Sequence, residues 1–248
     1  MNVSIKAALL SLVFILSAAF GSAPIAAPAK DAALPLGTWH YGIFIGKTRM
    51  GTAHVGLEFD GKEYLSTSNM TMQRGNGEVV CVMSESERET ASFAPLSYSS
   101  STIIISGSKE SRALLKISFS GNDVTIDDGQ EKRTVKVEGA FRITPNELSS
   151  KMTKEGLKPG SVHKAFIYDP SVDEDKPVEM TETVIGPETV ELPTGKAVLT
   201  HTVQSFGPLK NIHNYIDARG FTVRTTMIIL NQTIDLVLEA YDLPKGKK

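Results

Sequence analysis

Three glutamates at alternating positions, Glu85, Glu87 and Glu89, are the first candidates for chemistry in this chain of 248 residues. Residues two apart on a β-strand point to the same face, so these carboxylates would share one side of a sheet. Such a row suits Ca²⁺ or Mg²⁺, which prefer carboxylate oxygens. It suits equally an exposed face neutralised by Arg or Lys of neighbouring strands, and this second interpretation is favoured. The preceding apolar residues VVCVM (79–83) have the same parity, which predicts a change from buried to exposed along the strand, or a bulge.

Catalytic motifs are weak throughout the chain. Ser106 to Lys109 has the S-x-x-K pattern of penicillin-binding enzymes, in which the serine must open a helix and be followed by S-D-N and K-T-G motifs. Here the serine falls in a predicted turn between strands, and Thr194 to Lys196 has the wrong order, so a turn is predicted. A non-catalytic protein is therefore expected, although paired carboxylates from distant strands leave an enzyme open.

Metal-binding patterns are equally weak, so neither a metal site nor a cofactor is predicted. The acidic residues after Tyr168 lack the spacing of a calcium loop. The histidines show no H-x-x-x-H or H-x-H pair, which favours ordinary strand or surface histidines over zinc ligands: His40, His54, His163, His201 and His213. His201 shares parity with Leu199 and is a candidate for an inward-pointing, hydrogen-bonded core histidine.

Residues 1–29 have the features of a secretory signal peptide. One charge precedes the apolar run ALLSLVFILSAAF, which is too short to span a bilayer comfortably, and small residues follow it. Cleavage sites are possible after Ala29 or near Gly21. The protein is therefore predicted to be exported, periplasmic or extracellular, with residues 30–248 as a single β-rich domain and no transmembrane segment after signal removal.

The composition of the remaining chain excludes several partners. Removal of Lys6 leaves 25 basic and 28 acidic residues, a near-neutral balance without the clustered basic face typical of nucleic-acid binders. No nucleic acid is expected as a partner. The single cysteine, Cys81, rules out an internal disulfide, and its apolar surroundings favour a buried hydrophobic role.

The elements that must position these residues are short strands. Apolar and polar residues alternate from Trp39 onward, turn residues such as Asp60-Gly61 separate the segments, and Thr189 to Leu192 is predicted as a strand of its own. One helix is predicted near residues 145–157, with Thr144 as its N-cap. The fold class is therefore mainly β, a strongly curved antiparallel sheet forming a half-barrel or open barrel with one covering helix.

A curved sheet over one helix favours an apolar cavity, because side chains often fail to fill such a space. Flexible methionine side chains suit adaptable apolar surfaces, although they also fill ordinary cores. The predicted cavity lining consists of Met70, Met72, Met83, Leu115, Ile117, Met152, Leu199 and Met227.

Several segments resemble a bacterial exported β domain. They are WHYGIFIGKTRMGTAHVGLEFDGKEY (39–64), Glu85 to Thr90, Ala94 to Tyr98, PETVELPTGKAV (187–198) and Tyr215 to Gly220. Their rhythm is similar to the region that precedes transglutaminase-like domains and to periplasmic half-barrels of the lipoprotein-carrier type. The resemblance implies a curved sheet wrapped over a helix, with an apolar interior that holds acyl chains in the carriers. The chain departs from the transglutaminase partner, whose chemistry needs an activated cysteine, because Cys81 lies mid-strand.

Two hypotheses follow. In the first, a concave apolar face binds a hydrophobic ligand, such as a lipid or an acylated peptide. In the second, an interaction module binds a cell-envelope protein through sheet edges or through an exposed face formed by Glu85, Glu87 and Glu89.

Overall fold

The computed structural model describes residues 34–75, 77–170, 172–206, 211–229 and 231–243. The predicted signal peptide lies outside the described residues. Within them, no helix is both long and apolar enough to traverse a membrane. The elements follow the chain in this order: β1 (Gly37–Ile45), β2 (Thr48–Phe59), β3 (Glu63–Gln73), β4 (Val79–Thr90), β5 (Pro95–Ser106), β6 (Lys109–Ser120), β7 (Asp123–Asp127), β8 (Lys132–Lys136), α1 (Asn146–Glu155), β9 (Val162–Ile167), β10 (Val178–Leu192), β11 (Gly195–Phe206), β12 (Asn211–Ile216), β13 (Thr222–Ile229) and β14 (Gln232–Asp242).

All 14 strands belong to one antiparallel sheet, in the order β8-β7-β6-β5-β4-β3-β2-β1-β14-β13-β12-β11-β10-β9. Two meanders, β1 to β8 and β9 to β14, are joined where the first strand pairs with the last. The strands β8 and β9 are the two edges, so the sheet is not closed. The predicted fold class, an open and curved antiparallel sheet with one helix, is confirmed.

Contacts between distant strands show the curvature. Phe119 on β6 and Tyr168, which follows β9, meet edge to face with ring centroids 6.2 Å apart, and both pack against Phe141. Near them, Arg133 on β8 forms an ion pair with Glu174 after β10's neighbour β9. The two ends of the sheet therefore curl towards each other and leave a seam between β8 and β9.

Turn chemistry agrees with the sequence at the β2–β3 hairpin. The Asp60 carboxylate accepts hydrogen bonds from the main-chain N–H groups of Lys62 and Glu63, at 2.8 and 2.9 Å. Gly61 has φ +101°, a conformation that side-chain-bearing residues rarely adopt.

Two element boundaries differ from the sequence predictions. The separate strand predicted at 189–192 is the end of β10, which continues past Pro187 through an irregularity between Val184 and Gly186. The helix begins after Pro145, so the prediction of Thr144 as N-cap was wrong by one residue. The Thr144 hydroxyl instead donates a hydrogen bond to Glu89 Oε2 at 2.8 Å. A tertiary contact thus takes the hydroxyl that local capping would have used.

The interior contains two hydrophobic clusters. The larger one joins residues of both meanders, including Tyr41, Met83, Ile117 and Leu236, and it contains Cys81 as a buried side chain. The smaller one lies where α1 covers β9 and β10: Leu148, Met152, Ile167, Met180 and Val184. Burial at this scale supplies the main stabilisation of a sheet that has no disulfide.

We expect Gly51→Ala to destabilise the protein by about 1–3 kcal/mol, because overpacking forces the backbone to shift. A Cβ at Gly51 would lie 2.0 Å from the main-chain oxygen of Thr71 on β3. Urea unfolding monitored by fluorescence measures the loss. Gly75→Ala is the matched control, since a Cβ there meets open space. Equal stability of the two variants would show that β2 and β3 do not approach so closely.

Candidate functional site

The row of carboxylates on β4 faces the interior. Glu85, Glu87 and Glu89 are 5%, 3% and 1% exposed. Cys81 and Met83 are buried on the same face of the strand, so β4 neither changes sides nor needs a bulge there. The prediction of an exposed glutamate face was therefore wrong. Sheet curvature places the whole inward side of β4 under the opposite half of the molecule.

Glu85 lies at the centre of a hydrogen-bonded chain. The Ser68 hydroxyl donates to its Oε2 at 3.0 Å, and the Tyr98 hydroxyl donates to its Oε1 at 2.9 Å. Burial raises the pKa of Glu85 to about 8; the two hydrogen bonds lower it, and the nearby Asp169 raises it further. Glu85 therefore holds its proton at neutral pH.

Glu89 attaches the start of α1 to β4. Its Oε2 accepts hydrogen bonds from the Thr144 hydroxyl and from Asn146 Nδ2, at 2.8 and 2.9 Å. Asn146 Nδ2 also reaches the hydroxyl of Ser66 on β3. Burial raises the pKa of Glu89 to about 7, against the lowering effects of these hydrogen bonds and of Arg142. Within the described part of the chain, Glu89 Oε1 has no hydrogen-bond partner.

The second meander contributes further buried polar groups. The Thr202 hydroxyl donates to Glu182 at 2.7 Å, and burial raises the pKa of this glutamate. The Thr225 hydroxyl donates to Asn214 Oδ1 at 2.8 Å. Among the described residues, no Lys or Arg is buried beside these groups. The concave face is therefore not uniformly apolar, because a belt of buried polar groups, several of them carboxyls, separates the two hydrophobic clusters.

This arrangement does not converge on a cation. Along a strand, side chains two apart are separated by roughly 6.6 Å, so the three carboxylates of β4 point side by side. In the ranges that the structure describes, no group of three or more His, Cys, Asp or Glu residues is placed to hold a metal ion. The hydrogen bonds from hydroxyls and amides occupy Glu85 and Glu89 instead.

A cleft of about 500 Å³ opens on the concave side of β5, β6 and β7, and we call it the concave cleft. Ser100 and Thr102 of β5 form one wall, and Leu115 and Ile126 form the other. Pro170 and Glu174, from the segment after β9, lie across its mouth. Ser100 is the cross-strand neighbour of Glu85, so the cleft lies directly beside the buried carboxyl.

The predicted cavity-lining residues are mostly packed. Leu115 borders the concave cleft and also belongs to the larger hydrophobic cluster. Met70, Met83, Ile117 and Met227 belong to that cluster, Met72 packs against it, and Met152 belongs to the smaller one. Leu199 is buried but lies on the opposite face of β11 from the inward Thr202 and Gln204, since side chains alternate along a strand. Its assignment to the concave side was therefore wrong.

Pairing of strands produces two histidine pairs that local spacing does not reveal. His40 Nδ1 lies 2.6 Å from His54 Nδ1, and His201 Nε2 lies 2.9 Å from His213 Nδ1. The second ring nitrogen of His40 meets Asp242, and that of His201 meets Glu188. Burial lowers the pKa of His213. His201 is hydrogen-bonded as predicted, but it shares its face with Leu199 and does not point inward. A cross-strand register was the signal needed to find these pairs.

We expect the free energy of unfolding to fall as pH rises from about 5 to about 9. The native state keeps the proton of Glu85 up to a pKa of about 8, whereas the unfolded chain releases it near the ordinary value of 4.5. Stability is thus fully present below the lower value and is lost as pH passes through the higher one. Glu85→Gln should remove roughly 1–3 kcal/mol of this loss. Urea titrations at pH 5 and pH 9 measure it.

Glu58→Gln, at an exposed carboxyl on β2, is the control for the loss of one negative charge. The interaction of His213 with pH is common to all three proteins and cancels in the comparison. Parallel pH profiles for wild type and Glu85→Gln would contradict the assignment of a retained proton to Glu85.

The comparisons with known proteins support the fold. No protein-family model matches this chain, and no curated protein is significantly similar to it in sequence. A β-barrel-like protein of the domain of unknown function DUF1849 from Brucella abortus aligns with 86% of this chain and 100% of its own, with a TM-score of 0.61 and 11% identity. A DUF1089 family protein from Pseudomonas aeruginosa aligns with 76% of this chain and 89% of its own, with a TM-score of 0.32 and 11% identity, too low to support an argument. The chain is thus similar in fold to a β-barrel-like domain of unknown function, and its resemblance to the region before transglutaminase-like domains stays a prediction.

Proposed function

We propose that this protein is an exported, non-catalytic binding protein whose concave cleft accepts an amphipathic ligand with an acyl chain, such as a lipid or an acylated peptide. The observation that carries the proposal is the placement of an aliphatic wall opposite a hydroxyl-bearing wall in one open cleft. Its volume of about 500 Å³ falls in the range of small-molecule sites, about 300–1,000 Å³.

The aliphatic wall provides the affinity for an acyl chain. Ala113, Leu115 and Ile126 border the cleft from two paired strands, β6 and β7. Transfer of an acyl chain from water onto such a surface is favourable by about 25 cal/mol per Å² of apolar area buried. The neighbouring core behind Leu115 and Ile126 is packed, so the chain would lie along the wall.

The hydroxyl wall determines the kind of head group. Ser100 hydrogen-bonds to Tyr98, which in turn donates to Glu85. This chain ends on a carboxyl that retains its proton, and Asp169 lies close by. An anionic head group would be repelled by these acids, whereas an uncharged hydroxyl, ester or amide can exchange hydrogen bonds with the hydroxyls of Ser100 and Thr102. The cleft therefore favours neutral amphiphiles.

An ion pair holds the segment that crosses the mouth. Arg133 on β8 pairs with Glu174, and Asp128 lies 3.9 Å from the same guanidinium. The Tyr168 hydroxyl donates to the main-chain oxygen of Glu174 at 3.0 Å. These contacts keep Pro170 and Glu174 above the cleft, where they would shield a bound chain from water.

We expect Ala113→Phe to weaken ligand binding at least about tenfold, which corresponds to about 1.4 kcal/mol, because the new ring fills the aliphatic side of the cleft. The probe is a monoacylglycerol with a fluorescent acyl chain, titrated into purified protein and displaced with unlabelled monoacylglycerol. Native mass spectrometry checks the stoichiometry.

Ser118→Phe is the matched control, because Ser118 is a small residue on the opposite face of β6 and is absent from the cleft lining. It should bind like wild type. The proposal fails if wild-type protein does not bind the probe, or if both variants bind it with the same affinity as wild type.

A further inference from the structure

The strand β9 forms one edge of the sheet, and its main-chain groups alternate in direction. Val184 N–H donates to Ser161 C=O at 2.9 Å, so this odd-numbered residue faces β10. On the other side, Arg142 N–H donates to Phe166 C=O, and Tyr168 N–H donates to Arg142 C=O, both at 2.8 Å. Even-numbered residues of β9 therefore direct their main-chain groups away from the sheet.

Two residues of this edge remain open. By the same alternation, the N–H and C=O groups of Val162 and Lys164 point away from β10. Arg142 covers the edge only beside Ile167, where it forms an isolated parallel bridge. Throughout the described ranges, no main-chain group pairs with those of Val162 and Lys164 on this side. An edge of this kind is a template for another extended chain.

A groove of about 650 Å³ lies along this edge, between β9 and α1, and we call it the seam groove. Phe93, Phe141 and Leu148 are buried side chains at its floor, and Phe166 is half exposed at its side. An added strand would place alternate side chains on this apolar floor and the others towards solvent. The groove therefore supplies side-chain contacts beside an open main-chain edge.

Charge identifies the kind of chain that fits. Two of the four basic residues lining the seam groove are paired, Arg142 with Glu147 and Lys164 with Glu179. Lys151 and Lys154, one turn apart on α1, have no ion pair within the described residues. The rim is therefore positive, and it complements acidic side chains.

The same charges disfavour a second copy of this chain. Antiparallel pairing of two β9 edges centred on Lys164 would place this lysine directly opposite itself, and like charges at opposed positions destabilise a sheet. A lysine on an edge strand is a common device against self-association. The partner is therefore expected to be a different, acidic segment.

We propose that the open edge of β9 binds an extended acidic peptide of a partner protein by strand addition in the seam groove. Main-chain hydrogen bonds to Val162 and Lys164 supply affinity, and the apolar floor and the lysine rim supply specificity. This surface is distinct from the concave cleft, so the proposal goes beyond ligand binding and stands or falls separately from it.

The experiment uses a fluorescein-labelled heptapeptide in which glutamate alternates with valine, and measures anisotropy with the full protein. We expect this peptide to bind at least about tenfold more tightly than one with lysine in place of glutamate. The double variant Lys151→Glu/Lys154→Glu should reverse this preference. The same double variant should leave monoacylglycerol binding in the concave cleft unchanged.

N-methylated peptides separate strand addition from simple charge attraction. Alternate residues of a strand direct their N–H groups to the same side, so methylation of all valines or of all glutamates blocks one edge only. We expect one of these two peptides to lose binding about tenfold or more and the other to retain it. Equal binding by both overturns strand addition.

Val162→Pro removes one outward N–H without breaking the ladder to β10, because proline is tolerated on an edge that faces solvent. It should weaken binding of the glutamate peptide. Thr134→Pro is the matched control, since Thr134 lies on the other edge strand, β8, and Val137 N–H to Asn122 shows that odd-numbered residues make the ladder to β7. If Val162→Pro fails to fold, the N-methylated peptides on wild-type protein still decide the question.

Two results overturn the proposal. One is failure of the wild-type protein to bind the glutamate peptide in preference to the lysine peptide. The other is a dimer in sedimentation experiments that Val162→Pro disrupts, which would assign the edge of β9 to a second copy.

Discussion

The pairing of β1 with β14 is the constraint on which the rest of the structure depends. It joins residues about 200 positions apart, from Thr38 opposite Asp242 to Ile45 opposite Ile234. Trp39 packs on Tyr241 beside this pairing, with ring centroids 5.2 Å apart, and the Tyr241 hydroxyl donates to the main-chain oxygen of Leu36. Without it, two meanders would present separate apolar faces. With it, one sheet curls until both meanders share a core.

Curvature has a direct electrostatic consequence. A carboxylate in a low-dielectric interior is costly, and the usual outcome is retention of the proton together with hydrogen bonds to neighbouring groups. Glu85, Glu89 and Glu182 all follow this rule, with their pKa values raised by burial and their oxygens bonded to hydroxyls or an amide. The polar belt is therefore part of the packed interior, and at Glu89 it also fixes the start of α1.

The open seam explains why usable surfaces occur where they do. A closed barrel has no edge strand, whereas this sheet leaves β8 and β9 unjoined. The helix α1 covers part of the gap and leaves a groove beside β9, and the segment carrying Pro170 and Glu174 partly covers the concave cleft. Both spaces lie at the margins of the packed core, because the centre is filled by side chains from opposite strands.

The sequence by itself determined the local structure. Alternation of apolar residues, Asp60-Gly61 turn chemistry and the Pro145 helix start predicted strands, hairpins and one helix, because these depend on neighbours along the chain. Only the tertiary structure decided which way Glu85, Glu87 and Glu89 face, which histidines pair, and that 189–192 continues β10. Parity shows that residues share a face, but which face is buried depends on strands hundreds of residues away curling over it.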